Sequence, residues 1–161
     1  MLRPNHITFS SLLAALVGLF MPFPAGLGFF ALSFLLDVLD GRFARKKGLV
    51  TEFGGIFDSV SDKIVEVLFI YYLASKLGGG EQAVIAAGFS VMISYVKHRS
   101  GIRARSFFDR AQRLIFLLVF SLLFPFSFDL FIFAFNLLCA VAILQLLIII
   151  YNNIYKRHKS K

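Results

Sequence analysis

Residues 37–62 read DVLDGRFARKKGLVTEFGGIFDSVSD, a stretch that contains four aspartates. These aspartates stand in a chain of 161 residues that is 58% hydrophobic and contains 21 phenylalanines. An ionised carboxylate costs about 2.5 kcal/mol or more at the centre of a bilayer. Four of them within 26 consecutive residues of so apolar a chain therefore indicate a function that offsets this cost.

The apolar segments of the chain predict an integral membrane protein. A helical span needs about 20 mostly apolar residues. The segments that are nearly free of charge are 7–36, 64–75, 83–96, 114–128 and 130–151. We expect neither a soluble domain nor a cleavable signal peptide, because Pro4 and Asn5 open the first apolar segment without a convincing cleavage pattern after it. The single cysteine, Cys139, is expected to be a small buried hydrophobic residue.

Glycine and proline residues divide the chain into six predicted helices, which form one all-α membrane bundle and a single domain over residues 1–161. The expected bounds are 8–20, 27–46, 51–76, 82–99, 106–124 and 129–155. Thr8 is the expected N-cap of the first helix. The basic residues after Tyr155 are expected to lie beyond the end of the last helix.

The positive charges predict how this bundle is oriented. Of the 17 lysines and arginines, 16 lie at the termini, around the connections after the second and fourth helices, or near those connections. Only Lys76 lies on the opposite side. The positive-inside rule therefore predicts six spans with both termini in the cytoplasm. The net charge of +8 then reflects topology and attraction to anionic lipid headgroups, and it does not indicate nucleic-acid binding.

The four aspartates form two pairs with helical spacing. Asp37 and Asp40 are three residues apart, and Asp58 and Asp62 are four apart, so each pair shares one face of a helix. In an antiparallel hairpin that turns near residue 49, Asp40 lies level with Asp58 and Asp37 with Asp62. The sequence therefore predicts four carboxylates at two adjacent levels, in the cytoplasmic half of the membrane.

Four carboxylates in one pocket repel each other unless a counter-charge is present. Mg²⁺ and Mn²⁺ prefer oxygen ligands, and two such ions can share bridging carboxylates. Divalent ions in a pocket that faces the cytoplasm suggest phosphate chemistry, because they can clamp a pyrophosphate. Arg45 lies near the mouth of this pocket, where its planar guanidinium suits a phosphate.

Two alternatives stay open for these aspartates when they are considered alone. They could cap helix ends or pair with Arg45, Lys46 and Lys63 without any catalytic role. The chain could also be a membrane transporter of divalent cations, since transporters use intramembrane carboxylates.

The complete motif resembles a known family. Asp37-x2-Asp40-Gly41-x2-Ala44-Arg45-x8-Gly54-x3-Asp58-x3-Asp62 is similar, at all eight fixed positions, to the signature of the CDP-alcohol phosphotransferases. Residues 4–8, Pro-Asn-His-Ile-Thr, resemble the segment that opens the first helix of that family. The six-helix layout agrees as well, so the resemblance covers essentially the whole chain.

This resemblance implies an enzyme of phospholipid biosynthesis that transfers a phosphatidyl-type group from a CDP-lipid to a small polar alcohol and releases CMP. It implies that two divalent cations, Mg²⁺ or Mn²⁺, are held by Asp37, Asp40, Asp58 and Asp62. Asp62 would also be the general base for the acceptor hydroxyl. The implied CDP-lipid site consists of Gly41, Ala44, Arg45, Thr51 and Gly54, and Gly55 is expected to line the nucleotide pocket together with Thr51. Glu66 continues the face of Asp62 and is expected to make an interhelical hydrogen bond or to be protonated.

A second polar cluster, Ser94–Leu114, is expected to bind the acceptor alcohol. Its basic side chains suit a phosphorylated acceptor, because arginine binds phosphate through two parallel hydrogen bonds. The residues proposed for this role are Lys97, Arg99, Arg110 and Arg113. The segments around them resemble the branch of the family that uses inositol phosphate. Glycerol 3-phosphate is the alternative acceptor, and a basic loop on the cytoplasmic side is the alternative with no substrate at all.

The resemblance also implies a homodimer in the lipid bilayer, with the plasma membrane of a prokaryote as the expected location. It leaves open whether the CDP-lipid carries acyl or isoprenoid chains, as in CDP-diacylglycerol or CDP-archaeol.

Overall fold

The computed structural model describes the backbone of residues 4–47, 51–100 and 106–159, and within these ranges the side chains of 6–40, 42, 51, 53–100 and 106–155. The described residues form six α-helices and one 3₁₀ turn, with no strand. The helices are α1 Pro4–Phe20, α2 Ala25–Lys47, α3 Glu52–Leu77, α4 Gly80–Ser100, α5 Arg110–Leu123 and α6 Phe128–Lys159. The 3₁₀ turn, Pro125–Ser127, lies between α5 and α6.

The six expected helices are thus confirmed, but three of their expected ends are wrong. α1 begins at Pro4, so Thr8 lies inside the helix and is not its N-cap. Proline is well suited to a first turn because its missing N–H would have no partner there. α6 continues to Lys159, four residues past its expected end at Tyr155. Lysine and arginine favour helix, and their charges are favourable near a helix C-terminus.

The start of α5 is the third difference. The expected start was Ser106, whereas the helix begins at Arg110. Side-chain oxygens accept hydrogen bonds from the backbone N–H groups just before this helix. Phe107 N–H donates to Gln145 Oε1 at 3.0 Å, and Phe108 N–H donates to Ser106 Oγ at 3.3 Å. The backbone of Asp109 is extended, with φ −72° and ψ 169°. Residues 106–109 therefore form a turn held by side chains.

The chain divides into two compact units, Met1–Lys76 and Leu77–Lys161. In the first unit, α1 and α2 form a tight hairpin closed by hydrogen bonds from Met21 N–H to Gly18 O and from Gly26 N–H to Pro22 O, both at 3.1 Å. At the same end of α2, Phe30 packs on Phe69 and Tyr72 of α3, with ring centroids 5.0 and 5.3 Å apart. All three rings are fully buried. This aromatic cluster joins α2 to α3 at the end away from the aspartates.

In the second unit, α6 is the central helix, since both α4 and α5 pack against it. Asn136 Nδ2 of α6 donates to Gln82 O and Gln82 Oε1 of α4, at 3.0 and 2.9 Å. Phe108, Phe116 and Phe135 form a ring cluster with centroids 5.6–6.1 Å apart. The connection before α4 passes Gly78 and Gly79, whose φ angles of +103° and +81° favour glycine.

Apolar side chains cover the outside of these helices. Phe9, Leu35 and Val84, on three different helices, are 60%, 56% and 74% exposed. Among the described helices, the segment Pro125–Tyr155 is long and apolar enough by itself to cross a membrane, and the apolar helix His6–Phe20 is shorter. The charged residues of the motif lower the hydropathy of α2 and α3. The six-span topology and the orientation of the termini stay predictions.

Gly26 offers a test of the close contacts in the first unit. A Cβ atom there would lie 2.5 Å from Tyr72 Cζ and 2.7 Å from the backbone oxygen of Gly18. We expect Gly26→Ala to lower the unfolding temperature in detergent by several degrees, because overpacking costs about 1–3 kcal/mol. Gly28→Ala is the matched control on the same helix, since nothing lies within 4 Å of its added Cβ. Equal unfolding temperatures for the two variants would contradict this packing.

Candidate metal centre and basic cluster

Three of the four motif aspartates converge between α2 and α3. Asp37, Asp40 and Asp58 each place one carboxylate oxygen within 4.8 Å of the other two. The pair Asp37 and Asp40 lies on one face of α2, as its spacing predicts, and Asp58 approaches from the first half of α3. The expected juxtaposition of the two helices in this region is therefore present for these three residues.

The three carboxylates differ in burial. Asp40 is only 3% exposed, whereas Asp37 and Asp58 are half-buried. The cluster therefore has a closed side at Asp40 and an accessible side at the other two residues. Oxygen ligands lie about 2.0–2.1 Å from Mg²⁺, so two ligands of one ion are about 3–4 Å apart. The carboxylate oxygens of the three residues already lie within 4.8 Å of one another, and the donor set suits a hard divalent cation.

Asp62 is placed differently from the other three. It lies one helical turn after Asp58 on α3 and is half-buried. Among the described histidine, cysteine, aspartate and glutamate side chains, the group that can share one ion contains Asp37, Asp40 and Asp58 but not Asp62. The expected roles of Asp62 as metal ligand and general base stay predictions.

A residue of α1 contacts this cluster, and the motif did not identify it. Thr8 Oγ1 donates a hydrogen bond of 2.5 Å to Asp40 Oδ2. Both side chains are buried, with Thr8 4% exposed. The available signal in the sequence was that Thr8 is one of several hydroxyl residues near the start of the first apolar segment. Its partner, 32 residues away, could not be read from spacing.

Lys63 does not form its ion pair with an aspartate of the motif. Its Nζ donates to Glu66 Oε2 at 3.0 Å, within the same helix. Glu66 is 1% exposed, so this contact supplies a positive charge to a buried carboxylate. The side chains of Arg45 and Lys46, the other expected partners of the aspartates, lie outside the described residues.

The expected CDP-lipid residues are described only in part. Thr51 is exposed and caps α3: its Oγ1 accepts a hydrogen bond from Gly54 N–H at 3.0 Å. Its hydroxyl therefore has a local structural role, which the motif did not show. Gly41, Ala44 and Arg45 lie within α2, and their side-chain surroundings are outside the described residues. Their role in binding a nucleotide stays a prediction.

The second unit brings part of the expected acceptor cluster together. Lys97, near the end of α4, forms an ion pair with Asp109 in the turn before α5. The side chains of Lys97 and Asp109 are 30% and 32% exposed. Arg110 is half-buried and Arg99 is exposed at the end of α4. An ion pair this exposed contributes about 0–1 kcal/mol, so an anionic ligand can compete with the aspartate for the ammonium.

Arg113 is buried, unlike the other three basic residues, and is 1% exposed. Its Nε donates to Ser90 Oγ of α4 and its Nη1 to Phe108 O, both at 3.2 Å. These bonds connect α5 to α4 and to the turn that carries Asp109. The guanidinium therefore holds the framework of the basic cluster, a role that the sequence did not predict.

Known proteins resemble this chain in sequence and in fold. The archaetidylinositol phosphate synthase of Methanothermobacter thermautotrophicus is 35% identical over 102 residues, which cover 60% of this chain and 52% of that protein. The chain thus spans about half the length of this relative.

Two crystal structures of the phosphatidylinositol phosphate synthase of Mycobacterium tuberculosis share the fold. One has CDP-DAG bound; it superposes with a TM-score of 0.78 at 24% identity and covers 93% of this chain and 87% of its own. The other is in complex with manganese and citrate; it has a TM-score of 0.77 at 26% identity and covers 93% of this chain and 83% of its own. The family described as CDP-alcohol phosphatidyltransferase matches residues 1–151. The chain belongs to the CDP-alcohol phosphatidyltransferase family.

Proposed function

We propose that this protein transfers a phosphatidyl-type group from a CDP-lipid to a small phosphorylated alcohol, with inositol phosphate favoured, and releases CMP. The observation that carries the proposal is the convergence of Asp37, Asp40 and Asp58, which are three of the fixed residues of the family motif. The names of the relatives, archaetidylinositol phosphate synthase and phosphatidylinositol phosphate synthase, support the choice of acceptor.

In this proposal, Asp37, Asp40, Asp58 and Asp62 hold two divalent cations, Mg²⁺ or Mn²⁺. When bound, these ions neutralise the pyrophosphate of the donor and stabilise the charge of the departing CMP. A structural relative in complex with manganese supports a divalent cation as the cofactor. Asp37 and Asp58, on the accessible side of the cluster, are the residues next to which the pyrophosphate would lie.

The reaction needs one bond to form and one to break. Asp62 takes the proton of the acceptor hydroxyl, and the hydroxyl oxygen attacks the lipid-side phosphorus of the CDP-lipid. The new phosphodiester bond forms while the bond from that phosphorus to the bridging oxygen breaks. CMP leaves with the electron pair of that bond. The bound CDP-DAG of a structural relative supports a CDP-lipid as donor.

The donor would lie along α2 and the start of α3. Gly41, Ala44 and Gly54 would leave space for the nucleotide, since small residues permit close approach. Arg45 would pair with a phosphate. Thr51 would support the nucleotide site indirectly, because its hydroxyl caps the backbone at the start of α3. CDP-diacylglycerol and CDP-archaeol are both suitable donors in this scheme, because they share the headgroup that these residues would bind.

The acceptor would be bound by the basic cluster. Lys97, Arg99 and Arg110 would hold its phosphate, and that phosphate would replace Asp109 as the partner of Lys97. Arg113 would support this site through its hydrogen bonds to Ser90 and Phe108 O. A neutral alcohol could not use these charges, which is the reason to favour a phosphorylated acceptor.

The enzyme would lie in the plasma membrane of a prokaryote as a homodimer. Each chain would form a single domain with six membrane spans. Its termini and its active site would face the cytoplasm. The apolar side chains exposed on every described helix support burial in lipid. The positive charges near the N-terminus, the two connections and the tail support the orientation.

The proposed reaction is tested by CMP release. Purified protein with Mg²⁺ or Mn²⁺ should release CMP from CDP-diacylglycerol or CDP-archaeol only when the right acceptor is added. We expect inositol phosphate to be active, with glycerol 3-phosphate, serine and inositol as comparisons.

Asp62→Asn should lower turnover by at least about 10²-fold, the lower range for loss of a general base. An active Asp62→Asn variant would remove the base assignment, and metal flux into liposomes without CMP release would favour a transporter.

The metal centre is tested without substrate. Titration with Mn²⁺, followed by electron paramagnetic resonance of the free ion, should show binding by the wild-type protein. Asp58→Asn should weaken binding at least about 10-fold, because a neutral amide replaces a charged ligand. Asp129→Asn is the matched control, since this exposed carboxylate lies in the second unit. Equal losses in both variants would show that Mn²⁺ binds to surface charge instead.

Two substitutions in the basic cluster distinguish acceptor binding, measured as the KM for the acceptor, from folding stability, measured as the unfolding temperature. Lys97→Met should raise the KM for the acceptor about 10-fold and leave the KM for the CDP-lipid unchanged. Arg113→Met should mainly lower the unfolding temperature, because it removes two hydrogen bonds of a buried charged group, each contributing about 1.5–3 kcal/mol. An Arg113→Met protein of wild-type stability, or a Lys97→Met protein with altered donor KM only, would contradict these assignments.

A further inference from the structure

Thr8 and Asp40 form a buried contact between α1 and α2 at the closed side of the metal centre. The hydroxyl donates to one carboxylate oxygen, Oδ2, at 2.5 Å. The two side chains are 4% and 3% exposed, so water has little access to either. Asp40 is also the most buried of the three clustered aspartates, and Asp37 and Asp58 lie on the accessible side.

This contact restricts the direction of the carboxylate. Threonine is branched at Cβ, which restricts its χ1 angle to two main rotamers within a helix. The backbone of α1 is in turn held against α2 by the tight packing around Gly18, where an added Cβ would lie 2.8 Å from Phe29 Cβ. A carboxylate offers about four lone-pair positions, so a hydrogen bond from a hydroxyl and a cation can use the same carboxylate.

We propose that Thr8 is a positioning residue that holds the Asp40 carboxylate in the orientation needed to bind a divalent cation. The inference rests on the proposed metal centre. Thr8 does not touch the cation or the substrates in this scheme; it acts through Asp40. Partners that orient metal ligands in this way typically change metal affinity or activity by about 10–100-fold when they are removed.

A second pair of hydroxyl residues provides the matched control. Ser11, one turn after Thr8 on α1, lies 3.4 Å from Ser33 of α2 through their Oγ atoms. Both serines are buried, 2% and 0% exposed. This pair joins the same two helices in the same kind of surroundings but is not part of the carboxylate cluster. Loss of its contact therefore reports on helix packing alone.

The test uses the full chain in lipid nanodiscs, with Mn²⁺ as the probe and no substrate. Thr8→Val removes the hydroxyl while keeping the shape of the side chain, and Thr8→Ser restores it. We expect Thr8→Val to weaken Mn²⁺ binding about 10-fold, with Thr8→Ser within about twofold and Ser11→Ala at the wild-type value. Unfolding temperatures are measured in parallel, and Thr8→Ala replaces Thr8→Val if the latter does not fold.

Catalysis gives the second measurement. The Mn²⁺ concentration for half-maximal CMP release should rise about 10-fold in Thr8→Val, while turnover at saturating Mn²⁺ stays close to wild type. A merely structural role would lower the unfolding temperature without moving this concentration. Wild-type Mn²⁺ binding in a folded Thr8→Val protein, or an equal loss in Ser11→Ala, would overturn the positioning role.

The outcomes also separate this inference from the proposed reaction. If Thr8→Val weakens Mn²⁺ binding but the wild-type protein releases no CMP with any acceptor, the positioning role stands and the reaction is wrong. If CMP is released and Thr8→Val binds Mn²⁺ normally, the reaction stands and the positioning role is wrong. Failure of the wild-type protein to bind Mn²⁺ would overturn the positioning role, and absence of CMP release with both Mg²⁺ and Mn²⁺ would overturn the reaction.

Discussion

The mutual repulsion of carboxylates in a poorly solvated place is the constraint on which the first unit depends. Asp37, Asp40 and Asp58 lie within 4.8 Å of one another by their oxygens, and one of them is almost fully buried. A positive charge or a hydrogen-bond donor nearby favours a buried carboxylate. The packing of α2 against α3 therefore brings together side chains that favour cation binding and would otherwise separate the helices.

The rest of this unit supplies the contacts that keep the helices together. The aromatic cluster of Phe30, Phe69 and Tyr72 buries apolar surface at the far end of the α2 and α3 pair. The glycines of the α1 and α2 hairpin bring those backbones close, where Tyr72 Oη also donates to Pro22 O at 3.3 Å. These contacts hold the three helices together next to the carboxylate cluster.

Local patterns predicted much of this arrangement. Helical spacing identified both aspartate pairs, and glycine and proline located all six helices, because each signal lies within a few residues. Such local patterns do not show which residues, far apart in the sequence, contact each other in the fold. The hydroxyl of Thr8 on Asp40 and the burial of Arg113 both depend on which helices become neighbours. The late start of α5 has the same origin, since Gln145, 38 residues away, accepts the N–H of Phe107.

The length of α6 has a consequence for how the chain meets its membrane. The hydrocarbon core is about 30 Å thick, and a helix rises about 1.5 Å per residue. At the usual tilt of about 20°, some 21 residues cross this core. Counted from Phe128, the crossing ends near residue 149, within a helix that continues to Lys159. In the membrane topology proposed above, the exposed, stacked rings of Tyr151 and Tyr155 would lie at headgroup depth, where tyrosine is enriched, and would help to set the depth of the protein in the bilayer.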